Sequence, residues 1–393
     1  MRTASGRRPI RRRSPSLVGR PRARQDWDGL SAREVLERHP PQKIAPFEVV
    51  EVLISLFNHR HTAKEKGVSF KTQAERAAFL RRFFRDLQGN TVFKTLPDPR
   101  NLADRHIRAM VRVWDAQRLG PATIQTYLSF LRGFSKWIKK PGLVRRPAAY
   151  GLSRERYERH EAGTQDKSWS AAGFEIDELI AKICAFDLNI GAVLILIRAF
   201  GMRKKEALML CPHRSVVPFE ATGFPVAQKK ADSYLRIMAG SKGGRGRFVP
   251  IDSEARLAAI QYAKRVVADL DGHVGPPTGL KQSMRRYHYV LEKFGVTKKA
   301  LGVTGHGLRH EVLNDHYERR TGAKSPVRGG GAVAPELDTQ ARLEVADLAG
   351  HARKRASNAY CGAVARAGAG LAAKEEAPAS PNVAPAAGGG GRL

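Results

Sequence analysis

Cysteine is scarce: three residues in 393, Cys184, Cys211 and Cys361, odd in number and far apart. That spacing excludes a disulfide framework and a thiolate zinc site, and it fits a reducing compartment. Long apolar runs are missing as well. The longest, Ile190 to Ile197, falls far short of the roughly 20 residues that a membrane span requires. It reads as a buried helix, and no amphipathic stretch suggests a membrane surface. The basic N-terminus is not followed by an apolar h-region, which argues against a secretory signal and for the cytoplasm, in association with the nucleoid. Acidic residues are in deficit, 37 against 69 Lys and Arg, and no acid cluster is placed to hold a metal. Internal repeats are absent too.

What is present is positive charge, a formal net +32 spread over every segment. An excess of that size repels itself unless a polyanion is at hand, so nucleic acid is the expected partner. The length allows two domains with a sizeable core. Residues 1–25 carry nine Arg and no acid among Pro and Ser, a disordered basic arm that either binds DNA phosphates or is simply solvated. Residues 42–145 repeat apolar side chains at helical spacing. One stripe holds Phe47, Val50, Ile54 and Phe57; a second holds Phe79, Leu80, Phe83, Phe84 and Leu87, with Thr72 and Glu75 as its capping box. Ile107 to Trp114 and Ile124 to Ile138 mark two more helices. Arg76, Arg81, Arg82 and Arg85 accompany the second stripe and read as an outer face.

Residues 146–169, rich in Arg, Pro, Gly and Ser, read as a linker. A second unit covers 170–365. It opens with helices, passes through strands at Tyr234–Met238 and Phe248–Ile251 joined by the turn 240–246, and returns to helices at Ser253. Residues 366–393 drift into an Ala, Gly and Pro tail of low complexity. The expected fold class is mostly α with a small β-hairpin: a helical domain beside an α+β domain.

Three patches in the second unit carry reactive side chains: Gly201-Met202-Arg203-Lys204-Lys205-Glu206-Ala207-Leu208, then His306-Gly307-Leu308-Arg309-His310, then Gly350-His351 with Tyr360 nine positions later. Each alone favours a bland role, since an isolated Arg or Glu on a helix is most often a surface ion pair. Together, two Arg, three His, a hairpin Lys and a Tyr, with no acid cluster to hold a metal, form a cationic site for a phosphate. Fixed guanidinium groups supply the charge stabilisation that other nucleases take from metals, so no cofactor is required. A tyrosine hydroxyl, with a free pKa of about 10, is a poor nucleophile until neighbouring cations favour its ionised form. Its attack on a phosphodiester leaves a covalent protein–DNA ester.

These patches resemble, in residue type and order, the boxes of the tyrosine recombinase, or phage integrase, family: Gly-x-Arg-x-x-Glu-x-Leu, His-x-Leu-Arg-His, and Gly-His with a following Tyr. The helical first unit, Thr123 to Ile138 above all, is similar to the family's core-binding domain. The resemblance implies a two-domain clamp on DNA and site-specific recombination or integration through a 3′-phosphotyrosyl intermediate, in the service of a mobile element. It implies that Arg203 and Arg309 clamp the scissile phosphate, Tyr360 attacks it, His351 hydrogen-bonds it and His306 assists proton transfer. Glu206 would orient its neighbours, and His310 is the more structural member. Lys242, in a turn resembling the family hairpin, would protonate the departing 5′ oxygen. A homotetramer on synapsed attachment sites follows, with accessory directionality or bending proteins as possible partners. A type IB topoisomerase and a non-catalytic DNA-binding relative are the rival readings. Departures from the family pattern are Glu-Val-Leu-Asn-Asp after His310, a Gly/Pro-rich insertion over 321–339, Phe200 in place of Thr and Ala349 in place of Leu.

Overall fold

The computed structural model describes residues 30–41, 44–61, 65–351 and 353–363; the arm (1–25) and the low-complexity tail (366–393) lie outside them. Internal contacts divide the chain between Arg159 and His160.

The first unit is built from α1 (Ala32–Arg38), α2 (Pro46–Phe57), α3 (Phe70–Gly89), α4 (Asp104–Ala116) and α5 (Pro121–Trp137). α2 and α5 begin on Pro, whose missing N–H costs nothing in a first turn. α3 starts earlier than the expected Thr72 capping box. Ser69 is the cap, its Oγ accepting from the Thr72 N–H at 3.2 Å, while Glu75 pairs with Lys71. Two hydroxyl residues compete for the position, and the one with extended backbone takes it. Phe79 anchors an aromatic core, with ring centres 4.6 Å from Tyr127 and 5.6 Å from Phe130.

Arg76 does not share the outer face expected of it. It is 1% exposed, donates to Asn58 Oδ1 at 2.7 Å and to the Arg60 carbonyl at 3.0 Å, and lies over the Trp137 ring. Carbonyls of the α2–α3 connection need donors in the interior, and the long guanidinium reaches them. Arg81, Arg82 and Arg85 are exposed. Residues 146–159 pack on this unit: after the turn Pro147–Tyr150 comes the one-turn α6 (Arg154–Tyr157), with Arg156 on Asp115 at 2.7 Å.

The second unit is centred on α8 (Leu188–Phe200), whose run from Ile190 to Ile197 is apolar and almost wholly buried. α7 (Ile176–Phe186), α11 (Glu254–Val266) and α14 (Gly307–Thr321) pack around it. Asp187 caps it through the Ile190 N–H. Between α8 and α11 lie α9 (Lys204–Leu208), α10 (Pro212–Ser215) and three antiparallel strands in the order β1 (Val216–Pro218), β2 (Ser233–Ile237), β3 (Arg247–Pro250). The register sets Val216 opposite Leu235 and Ile237 opposite Arg247. β2 and β3 lie within a residue of the expected positions. β1 was not foreseen, because three residues are too few to show a period of two. α12 (Leu280–Lys293) and α13 (Lys298–Leu301) lead to α14. The insertion closes into a turn at Pro326–Arg328 and feeds α15 (Pro335–Leu348), and α16 (Asn358–Cys361) carries Tyr360. Among the described residues no helix is long and apolar enough to cross a membrane.

Candidate active site

α8 stops at Gly201, whose left-handed φ of 58° suits a helix C-terminus and turns the chain back. Met202 drops into the core, and Arg203 becomes the residue before α9. Glu206, in the first turn of α9, reaches back so that Oε2 accepts the Arg203 N–H at 2.8 Å, while Oε1 accepts from Arg203 Nη1 at 2.6 Å. The box spacing Arg-x-x-Glu is the spacing that allows this reciprocal contact.

Arg247, at the start of β3, closes on the same carboxylate with Nη1 at 3.0 Å and Nη2 at 2.8 Å. Arg309 Nη1 lies 4.0 Å from Glu206 Oε2. Burial alone would disfavour the Glu206 charge. The bonds from Arg247 and then Arg203 outweigh it and hold the carboxyl at about 2.

Arg309 is 1% exposed, and its guanidinium joins all three sequence patches. Nη1 donates to the Gly201 carbonyl, Nη2 to the Ala349 carbonyl at 2.6 Å, and Nε to the Tyr360 hydroxyl at 3.3 Å. The start of α14 is fixed from outside by Trp169, which is fully buried and donates to the Thr304 carbonyl at 3.0 Å. Gly307 permits that packing: a Cβ there would sit 2.4 Å from the Lys167 carbonyl.

Three imidazoles surround the phenol, with ring centres 4.8 Å (His310), 5.9 Å (His351) and 6.1 Å (His306) from the Tyr360 ring. Burial, followed by the charges of Arg309 and Arg203, pushes His306 down to about 4, even though its outer edge is exposed. Burial and His306 push His310 down to about 3. Both rings are therefore neutral near pH 7. Gly350, with φ of 63°, lets two guanidiniums approach the turn before His351: a Cβ would meet Arg247 Nη1 at 3.0 Å and Arg203 Nη1 at 3.5 Å. Gly240 brings the strand loop against α9, since a Cβ there would lie 2.6 Å from the Lys205 carbonyl. Lys242 follows two positions later, its backbone in the one-turn segment Lys242–Gly244.

Three guanidiniums thus share one carboxylate beside neutral imidazoles and a phenol, which leaves a positive surplus suited to an anion with several oxygens. A larger cleft of about 1640 Å³ touches this cluster only at Arg247, Gly350 and His351; Arg309 and Tyr360 do not line it. Among the described residues no set of three His, Cys, Asp or Glu side chains is grouped to hold a metal ion.

Residues 160–315 match the family profile described as Integrase, and residues 57–142 match the one described as Phage integrase, N-terminal; together they take in more than half of the chain. The chain belongs to the tyrosine recombinase (phage integrase) family. As such it is a site-specific DNA recombinase. No curated protein matches the recombinase at the same stringency. Solved structures similar to it include a lambda integrase dimer bound to a core site (12% identity, 80% of this chain, 94% of that one, TM-score 0.49). A lambda integrase tetramer on a Holliday junction gives 13%, 82%, 78% and 0.49. The Tn1549 transposon integrase with transposon right-end DNA gives 12%, 80%, 95% and 0.47.

The Integrase match stops at Asp315, so His351 and Tyr360 of this recombinase lie beyond it. The structure gathers Arg203, Glu206, His306, Arg309, His310, His351 and Tyr360 into one cluster. Sequence reasoning missed Arg247, which makes a two-pronged contact with Glu206. A signal existed: a carboxylate in a cationic box needs more than one donor, and the strand after the turn begins with an arginine.

Proposed function

We propose that the recombinase cuts one strand of a double-stranded DNA attachment site by attack of Tyr360 Oη on phosphorus. The O–P bond formed joins Tyr360 to the 3′ phosphate, and the bond broken releases a 5′ hydroxyl. Arg203 and Arg309 hold the non-bridging oxygens, whose charge grows in the transition state. His351 donates a hydrogen bond to the same phosphate. His306, neutral near pH 7, takes up the phenol proton, and Lys242 gives a proton to the departing 5′ oxygen. Glu206 and Arg247 fix Arg203, while His310 packs the phenol. Because the phosphotyrosine ester retains the energy of the phosphodiester, a 5′ hydroxyl from a partner duplex reverses the step without ATP. Exchange proceeds in a homotetramer on synapsed sites, with accessory bending or directionality proteins, in the cytoplasm, and the chain acts as the integrase of a mobile element. A basic N-terminal arm and charged helix faces make binding steeply salt-dependent.

The observation that carries this reading is the Arg309 guanidinium, its Nε 3.3 Å from the Tyr360 hydroxyl and its other nitrogens bonded to the Gly201 and Ala349 carbonyls. The test is incubation with DNA from the ends of the element that encodes the chain, followed by denaturing electrophoresis. Wild type gives a covalent adduct and Tyr360→Phe gives none. Plasmid relaxation without strand exchange between two sites would instead mark a topoisomerase.

A further inference from the structure

α16 has four residues, too few to hold its own shape, so whatever grips its ends decides where the Tyr360 hydroxyl points. Arg342, on α15 and 2% exposed, grips both. Its Nη1 donates to Asn358 Oδ1 at 2.9 Å, at the start of the turn, and to the Gly362 carbonyl at 2.9 Å, just past its end. Nε is bonded to both oxygens of Asp338, at 2.8 and 2.9 Å. Asp338 in turn accepts the Tyr317 hydroxyl at 2.7 Å, and the Arg342 guanidinium lies 5.6 Å from the centre of the Tyr317 ring. Behind the turn, Gly163 donates its N–H to the Asn358 carbonyl at 2.8 Å. A Cβ on Gly163 would meet the Ala359 carbonyl at 3.1 Å, so that side offers little room for α16 to shift. None of these contacts reaches the Glu206 cluster.

We propose that Arg342 is a positioning residue for Tyr360: by tying Asn358 and Gly362 to α15 through a guanidinium neutralised by Asp338, it holds the nucleophile-bearing turn in reach of the phosphate. The inference rests on Tyr360 being the nucleophile. A guanidinium buried this deeply is costly unless its bonds are made, and two of them serve only the ends of this turn. Misplacing a nucleophile by about 1 Å costs on the order of 100-fold in rate, which is the scale at stake.

The full chain is assayed on a duplex from the end of its own element, nicked on the scissile strand so that religation is blocked. Single-turnover adduct formation and the DNA concentration at half-saturation are measured separately. In Asn358→Ala and Arg342→Met the adduct rate falls about 10- to 100-fold, while half-saturation stays within about twofold. Arg342→Lys recovers part of the rate, and wild-type thermal unfolding of Asn358→Ala shows that the fold is intact. If Arg342→Met does not fold, Asn358→Ala and Arg342→Lys decide alone. Wild-type rates in those two, or losses that follow DNA binding, overturn the proposal while Tyr360→Phe stays inactive. An adduct formed by Tyr360→Phe overturns the nucleophile assignment itself, a different signature.

Discussion

Two charge clusters in the second unit, one buried and one half-buried, are built on inverse plans. Around Glu206, one carboxylate is ringed by Arg203, Arg247 and Arg309. Around Arg328, one guanidinium is ringed by Asp166 at 3.1 Å, Glu311 at 2.7 Å, Asp315 at 2.9 Å and Glu318 at 3.2 Å. Burial works against the Arg328 charge, but the carboxylates, Asp315 foremost, more than offset it and raise its pKa. This second cluster ties the segment before Trp169 to α14 and to the insertion, and its surplus is negative. A phosphate approaching it would be repelled, whereas one approaching the first would be held. Buried charge alone therefore does not mark a site; the sign left over after internal pairing does.

The largest expected effect falls on Arg309. In the proposed mechanism Arg309→Ala removes a donor to the phosphate, of which one is worth about 10²- to 10³-fold in rate, and it also releases Tyr360 and strands the Gly201 and Ala349 carbonyls. Single-turnover cleavage should fall by roughly 10³-fold or more, with a lowered melting temperature. Retention of most of the rate would break the comparison at once. Arg247→Met should cost less, about 10- to 100-fold, because Arg203 is left as the close partner of Glu206 and is drawn away from substrate. Glu206→Gln in that background should return part of the loss, a non-additivity that a double-mutant cycle reads directly.

Arg328→Met should have the opposite profile. Glu311, the buried carboxylate of the four, loses its cation, whereas Asp315 keeps Arg198 at 2.7 Å; the cost is about 1–3 kcal/mol, seen as a lower urea midpoint with unchanged slope. The cleavage rate per folded molecule should stay within about threefold. A rate loss as deep as that of Arg309→Ala would mean that the acidic-ringed cluster is also part of the reaction.

Much of this organisation was legible in the sequence, and the parts that were not share a cause. Helices with long apolar stripes, such as Phe79 to Leu87, announce themselves because local spacing and burial coincide. The strands around Tyr234 and Phe248 did so through their turn residues. The box residues Arg203, Glu206, Arg309 and His351 were readable because their chemistry is concentrated in short patterns. Arg76, Arg247 and Arg342 were not: each is an enclosed arginine with partners 16 to 41 positions away, only Arg342 adding a local one in Asp338, and an arginine in a basic chain carries no local mark of being enclosed. The start of α3 was misplaced because Ser69 and Thr72 offer equal local chemistry, and only the backbone chooses.

The smallest expected effect concerns protons. His306 and His310 have folded pKa values of about 4 and about 3, below the ordinary 6.5. Between those limits the unfolded chain binds more protons than the folded one, so stability rises with pH there and is lost as pH falls from about 6.5. Glu206 behaves with the same sign but in a lower window, between its ordinary 4.5 and about 2. Urea midpoints of DNA-free protein measured between about pH 7 and pH 5 therefore report the histidines and not the carboxylate. His310→Gln should flatten that slope more than His306→Gln, because His310 is 7% exposed and His306 opens to solvent, which screens its contribution. An unchanged slope in the double variant would mean that both rings titrate in the folded enzyme as they do in the unfolded chain, gaining protons and adding to the positive surplus of the guanidiniums as pH falls through about 6.5.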